Sequence, residues 1–166
     1  MRKSVLVVIT VLGISFSACA RPSRSSSTSG STTTSTTSGT RFNSNSSVTK
    51  TPVGASGNGS ATSTGRRGGQ ANAQGSFQGT PVKGSAQSSG SYSNPNGANG
   101  SYQSQSTYKQ GTLNNNANWN RTNAAGETKS GTATTEYNKT TGGSTTVDAN
   151  GQTKTVELPP AGSDQP

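Results

Sequence analysis

Between Cys19 and the end of the chain stand only nine Leu, Ile, Val or Phe side chains: Phe42, Val48, Val53, Phe77, Val82, Leu113, Val147, Val156 and Leu158. They make up about 6% of that stretch, and a share under roughly 20% marks chains that do not build a core of their own. Fixing one residue's backbone costs about 1–2 kcal/mol. A fully buried Val, Leu or Phe returns about 1.5–3 kcal/mol. Nine such side chains, scattered singly, cannot offset the ordering of residues 19–166. A large globular core is therefore excluded. Any structure has to be hydrogen-bonded β with little to bury, or has to form on a partner.

The first twenty residues are of another kind. Met1-Arg2-Lys3 is basic, Val5 to Phe16 is a short apolar run, and Ser17-Ala18-Cys19 comes next. Basic start, short apolar run and small-residue cleavage site are the parts of a secretory signal. The run is shorter than the roughly 20 residues that a membrane-spanning helix needs. Phe16-Ser17-Ala18-Cys19 holds the only cysteine of the chain. It resembles the lipobox of bacterial lipoproteins, in which a cysteine follows two small residues. The resemblance covers residues 1–19 alone. It implies a signal peptide over 1–18, lipid attachment at Cys19, and anchoring in a membrane by two or three acyl chains. Ala20-Arg21 lacks the Asp that retains such proteins in the inner membrane, so the resemblance points to the outer membrane. Ordinary cleavage after Ala20 is the alternative, because Ala18-Cys19-Ala20 also has the small-x-small form.

Charge divides the rest of the chain. From Ala20 to Gly126 there are nine basic residues and no acid, and all five acids, beginning at Glu127, come later. The basic part is expected to be drawn to anionic surfaces. Its candidate polyanion contacts are Arg41, Lys50, Arg66, Arg67, Lys83, Lys109 and Arg121. Tyr92, Tyr102, Tyr108 and Trp119 are candidates for stacking on sugars or bases. The plain alternative is a solvated basic chain whose few aromatics are all the core it has.

Read in order, residues 19–40 form a Ser/Thr/Gly tether by composition. Residues 41–99 continue as a basic segment rich in Gly, Ser, Asn and Gln, which is expected to be disordered. Arg66-Arg67-Gly68-Gly69 is one copy of an RGG-like element. Gly75-Ser76-Phe77, Gly90-Ser91-Tyr92 and Gly100-Ser101-Tyr102 share a Gly-Ser-aromatic form. Three tetrads, Asn94 to Gly97, Asn123 to Gly126 and Asp148 to Gly151, suit a type I turn followed by a glycine bulge. The step from Asn94 to Asn123 is longer than the step from Asn123 to Asp148, so the repeat is ragged. Thr-rich runs flank the later tetrads, and Thr153, Thr155 and Glu157 alternate with Lys154, Val156 and Leu158. Pro159-Pro160 then ends the strand. The expected fold is thus a mostly disordered low-complexity chain with a weak all-β C-terminal part. That part is an antiparallel meander of four or five strands over roughly 100–158, and residues 159–166 form a tail. No helix is expected after the signal.

The chemistry of catalysis is sparse. The chain has no histidine, which removes Ser-His-Asp and Cys-His arrangements. A lone cysteine taken by lipid makes no zinc site, and nothing can bury Glu127, Glu136 or Glu157 as a catalytic acid requires. No enzyme activity, cofactor or metal is expected. The Asn-x-Ser/Thr triplets follow from the abundance of Asn, Ser and Thr. The first functional reading is a lipid-anchored, non-enzymatic envelope or surface protein. It would have a flexible spacer and a polar β-rich end that pairs with itself or another sheet. The second is an envelope module that binds an anionic glycan, a teichoic-type polymer or DNA. A third is a matrix or adhesion component, since residues 99–123 have a prion-like composition that resembles curli-type subunits in composition alone.

Overall fold

The computed structural model describes residues 23–162, so the signal segment, Cys19 and Asp164 lie outside the described residues. Everything described is built from one antiparallel sheet of eleven strands, each paired with its neighbour in the sequence. The strands are β1 (Ser23–Ser29), β2 (Thr32–Gly39), β3 (Phe42–Thr51), β4 (Gly54–Thr64), β5 (Gln70–Gly79) and β6 (Lys83–Ser93), followed by β7 (Asn99–Lys109), β8 (Thr112–Thr122), β9 (Thr128–Asn138), β10 (Gly142–Ala149) and β11 (Gln152–Leu158). No helix occurs among the described residues. The all-β meander expected for 100–158 is present, and β11 stops at Leu158, ahead of the two prolines.

Disorder across 41–99 and a coil over 23–40 are corrected by the structure, which continues the same pairing back to Ser23. The apolar count measures what a core requires, and this sheet has no buried hydrophobic residue. Its order comes instead from the ladder, in which each interior strand satisfies its N–H and C=O groups on two neighbours. Side-chain hydrogen bonds across strands add to it. Thr146 and Thr155 hydroxyls lie 2.9 Å apart and those of Thr135 and Thr145 3.0 Å. Asn72 Nδ2 donates to Ser91 Oγ at 2.9 Å. Such pairs contribute roughly 0.2–1 kcal/mol each.

A single layer leaves much in water. Among the described residues only Gly90, Gly100 and Gly142 are buried, and every other position is exposed or half-buried.

The connections alternate in kind. At one end of the sheet, the loop end, three five-residue loops span 65–69, 94–98 and 123–127. Gly68, Gly97 and Gly126 carry φ of +83°, +87° and +84°. In each loop the glycine N–H donates to the carbonyl three residues back, at 3.0 Å. These are type I turns with a glycine bulge, as expected at 94–97 and 123–126. The same loop occurs one interval earlier, at 65–68. It is not visible there as a tetrad because it begins with Gly65 rather than Asn or Asp. The tetrad at 148–151 is corrected. Asp148 and Ala149 belong to β10, Ala149 pairs with Gln152, and Asn150-Gly151 alone turn the chain with φ of +54° and +78°. At the opposite turn end, connections of two or three residues lie at 30–31, 52–53, 80–82, 110–111 and 139–141.

Candidate functional site

Antiparallel partners share a face, and so do residues two apart on one strand. Tracing the register from β1 to β11 sorts every strand residue onto one of two faces. The first, or polar, face carries only Ser, Thr, Asn, Gln, Gly and charged residues; its central row runs Asn45, Ser60, Gln74, Ser89, Gln103 and Asn118. The second carries every strand Ala, Val, Leu, Phe, Tyr and Trp, interleaved with Gly and Ser, and is the aromatic face.

Charge is sorted as well. The strand acids Glu136, Asp148 and Glu157 all stand on the polar face. Arg24, Lys50, Arg121, Lys129 and Lys154 stand on the aromatic face, which holds no carboxylate among the described residues. The remaining described acid, Glu127, sits in a loop, where its Oε2 accepts from Asn123 Nδ2 at 2.7 Å.

The large rings on the aromatic face are seated on glycine. Gly-Ser-Tyr occurs on β6 and again on β7, and antiparallel register sets Gly90 opposite Tyr102 and Tyr92 opposite Gly100. A Cβ added at Gly90 would lie 2.6 Å from Tyr102 Cε1, and one at Gly100 would lie 2.7 Å from Tyr92 Cε1. Each tyrosine therefore lies across the other motif's glycine. Trp119 does the same on β9, where a Cβ at Gly131 would meet its ring at 2.7 Å. Phe77 covers Gly57 in this way nearer the turn end. Gly90 and Gly100 are two of only three buried positions among the described residues, the third being Gly142. Any side chain there would displace the rings, so glycine is what lets them sit against the sheet.

At the loop end of this face is an open groove of about 700 Å³. Tyr92, Tyr102 and Trp119 pave it, and Arg41, Arg66 and Arg121 stand around it. Arg41 lies in the β2–β3 turn, where its carbonyl accepts from Thr64 N–H at 2.8 Å. Arg66 occupies the loop 65–69, which rests against the next loop through the Gly68–Pro95 approach. Arg121 is set on β8 opposite Gly100 and Lys129.

Six of the residues singled out from sequence thus converge. Arg67 is in the same loop as Arg66 without lining the groove. The others fall elsewhere. Lys50 is at the turn end of the aromatic face. Lys83 and Lys109 face each other on the polar face. Tyr108 stands beside Leu113 and near Tyr137 at the turn end. Composition alone does not point to Phe42, Gly90, Gly100 and Gly131. The signal that could have found the first glycine pair is the Gly-Ser-Tyr repeat, read as two antiparallel strands in register. A second open groove, of about 630 Å³, crosses the polar face and is lined by amides such as Asn58, Gln74, Gln103 and Asn116.

Comparison with known proteins finds no matching family model, no curated protein of similar sequence and no matching solved structure.

Proposed function

We propose that the chain is a non-enzymatic envelope lipoprotein, anchored through lipid on Cys19 in the outer membrane, with a structural or interaction role. The observation that carries this reading is the single-layer sheet with no buried hydrophobic residue. A chain so built works through its faces rather than through an enclosed pocket. The signal-like start, the short apolar run and Cys19 support the anchor. Two or three acyl chains hold stably, at about 0.8 kcal/mol per buried methylene. The acids Glu127, Glu136 and Glu157 are exposed, outside the enclosed setting in which a carboxylate is positioned for proton transfer. With β1 beginning at Ser23, only residues 20–22 separate the proposed anchor from the first strand.

The test is intact mass spectrometry of the protein from a lipoprotein-processing bacterial host, alongside Cys19→Ser. The expected product begins at Cys19, carries acyl mass and fractionates with membranes, while the variant stays unprocessed. A wild-type product beginning at Arg21, unacylated and soluble, would contradict the anchor.

A further inference from the structure

We infer that the groove at the loop end of the aromatic face binds an anionic polysaccharide, one bearing uronate or phosphate groups at intervals along its length. The inference takes from the proposed function only that the chain works outside the cytoplasm. Three features of the groove argue for it.

The first is the floor. Tyr92, Tyr102 and Trp119 lie across Gly100, Gly90 and Gly131, so each ring is seated against the sheet and borders the open groove. A pyranose ring offers a flat patch of C–H groups to such a surface. Tyr92 and Tyr102 cross between β6 and β7, while Trp119, the strand partner of Tyr102, leans the other way onto β9, so the three rings are spread across β6 to β9. The second is charge. Arg41, Arg66 and Arg121 stand around these rings, at the end of a face whose described strand residues include no carboxylate. Guanidinium groups bind carboxylate and phosphate through paired N–H donors. The third is density. Arg41 and Arg121 are separated by the β3–β8 width of the sheet, about 24 Å at 4.8 Å per strand. Duplex DNA presents a charge about every 1.7 Å along its axis and each strand one about every 3.4 Å, both far denser than three cations spread over that width. Charges set at wider intervals along a polysaccharide suit them better.

The experiment titrates the purified full chain, in detergent micelles, with alginate oligomers, with neutral dextran oligomers of equal length and with single-stranded oligothymidylate. Alginate is expected to bind at low salt, to weaken steeply as salt rises, and to bind more tightly than the other two probes. Arg41→Gln with Arg121→Gln is expected to lower alginate affinity on the order of ten-fold per arginine. Lys83→Gln with Lys109→Gln, on the opposite face, removes the same charge and is expected to leave it unchanged. Far-UV circular dichroism confirms that both variants keep the sheet. Equal losses in the two double variants would overturn the inference in favour of diffuse attraction. Tighter binding of oligothymidylate would overturn it in favour of nucleic acid. Absence of alginate binding at low salt would overturn it outright and leave the anchor, read by mass, untouched.

Discussion

At the scale of single residues, glycine has two separate jobs in this sheet, and they respond differently to substitution. Gly97 sits in an open loop at φ +87° with no atom within 4 Å of an added Cβ. Gly97→Ala meets only backbone strain, and the expected loss is about 1–2 kcal/mol, measured by urea denaturation. Gly131 has room for nothing because Trp119 covers it. Gly131→Val is expected to lift the indole into water and shift its fluorescence to longer wavelength. Trp119 is the only tryptophan, so the emission reports on this ring alone; an unchanged spectrum would mean that the ring does not lie on Gly131. This layer of the structure was half-legible. The Gly-Ser-aromatic repeats stand out in the sequence, but their meaning depends on a register that no local pattern states. The Gly131–Trp119 pair has no motif at all.

The elements repeat more regularly than the sequence suggests. Gly68, Gly97 and Gly126 are evenly spaced along the chain, and Thr51-Pro52-Val53 recurs as Thr80-Pro81-Val82 at the same interval. One strand, a five-residue loop, a second strand and a short turn make each unit. The period was hidden because the third Asx tetrad, at 148–151, belongs to a different turn and breaks the even step. Gly65-Arg66-Arg67-Gly68 was hidden for the opposite reason, since its arginines suggest recognition before they suggest a turn. If the three loops are equivalent, replacing the first by the second is neutral for folding. The combination Gly65→Asn, Arg66→Pro and Arg67→Asn is expected to change stability by less than about 0.5 kcal/mol, within the range of surface changes. A collapse of the β signal in far-UV circular dichroism would show that the loops differ in kind. Removal of Arg66 in this variant also lowers alginate affinity if the groove works as inferred.

For the whole molecule, the pairing of each strand only with its sequence neighbours makes the sheet a one-dimensional array. Stability in such arrays is close to a sum of unit and interface terms. Deleting residues 65–93 joins β4 directly to the loop 94–98 and removes one full unit. The shortened chain is expected to fold as a nine-strand sheet, with protected amides in every remaining strand; loss of protection throughout would contradict a modular array. The same architecture explains why the strand signal in the sequence fades ahead of residue 100. A fold with a core announces itself by apolar residues, and this chain has too few of them to read. Yet alternation was present all along β4 and β5, as Ala55, Gly57, Gly59 and Ala61 against Ser56, Asn58 and Ser60, and as Ala71, Ala73 and Phe77 against Asn72, Gln74 and Gln78. Small side chains kept that period-2 pattern from registering as a strand signal. The sorting of acids onto one face was equally beyond reach, because it needs the register of every strand from β8 to β11.

Residue-resolved amide hydrogen exchange on the purified full chain tests the account most directly, with residues 41–99 as the deciding stretch. The single continuous sheet predicts slow exchange in β3 to β6 comparable to that in β7 to β10, with the edge strands β1 and β11 opening more readily. Exchange at unstructured rates across 41–99, beside protection in 100–158, would contradict it.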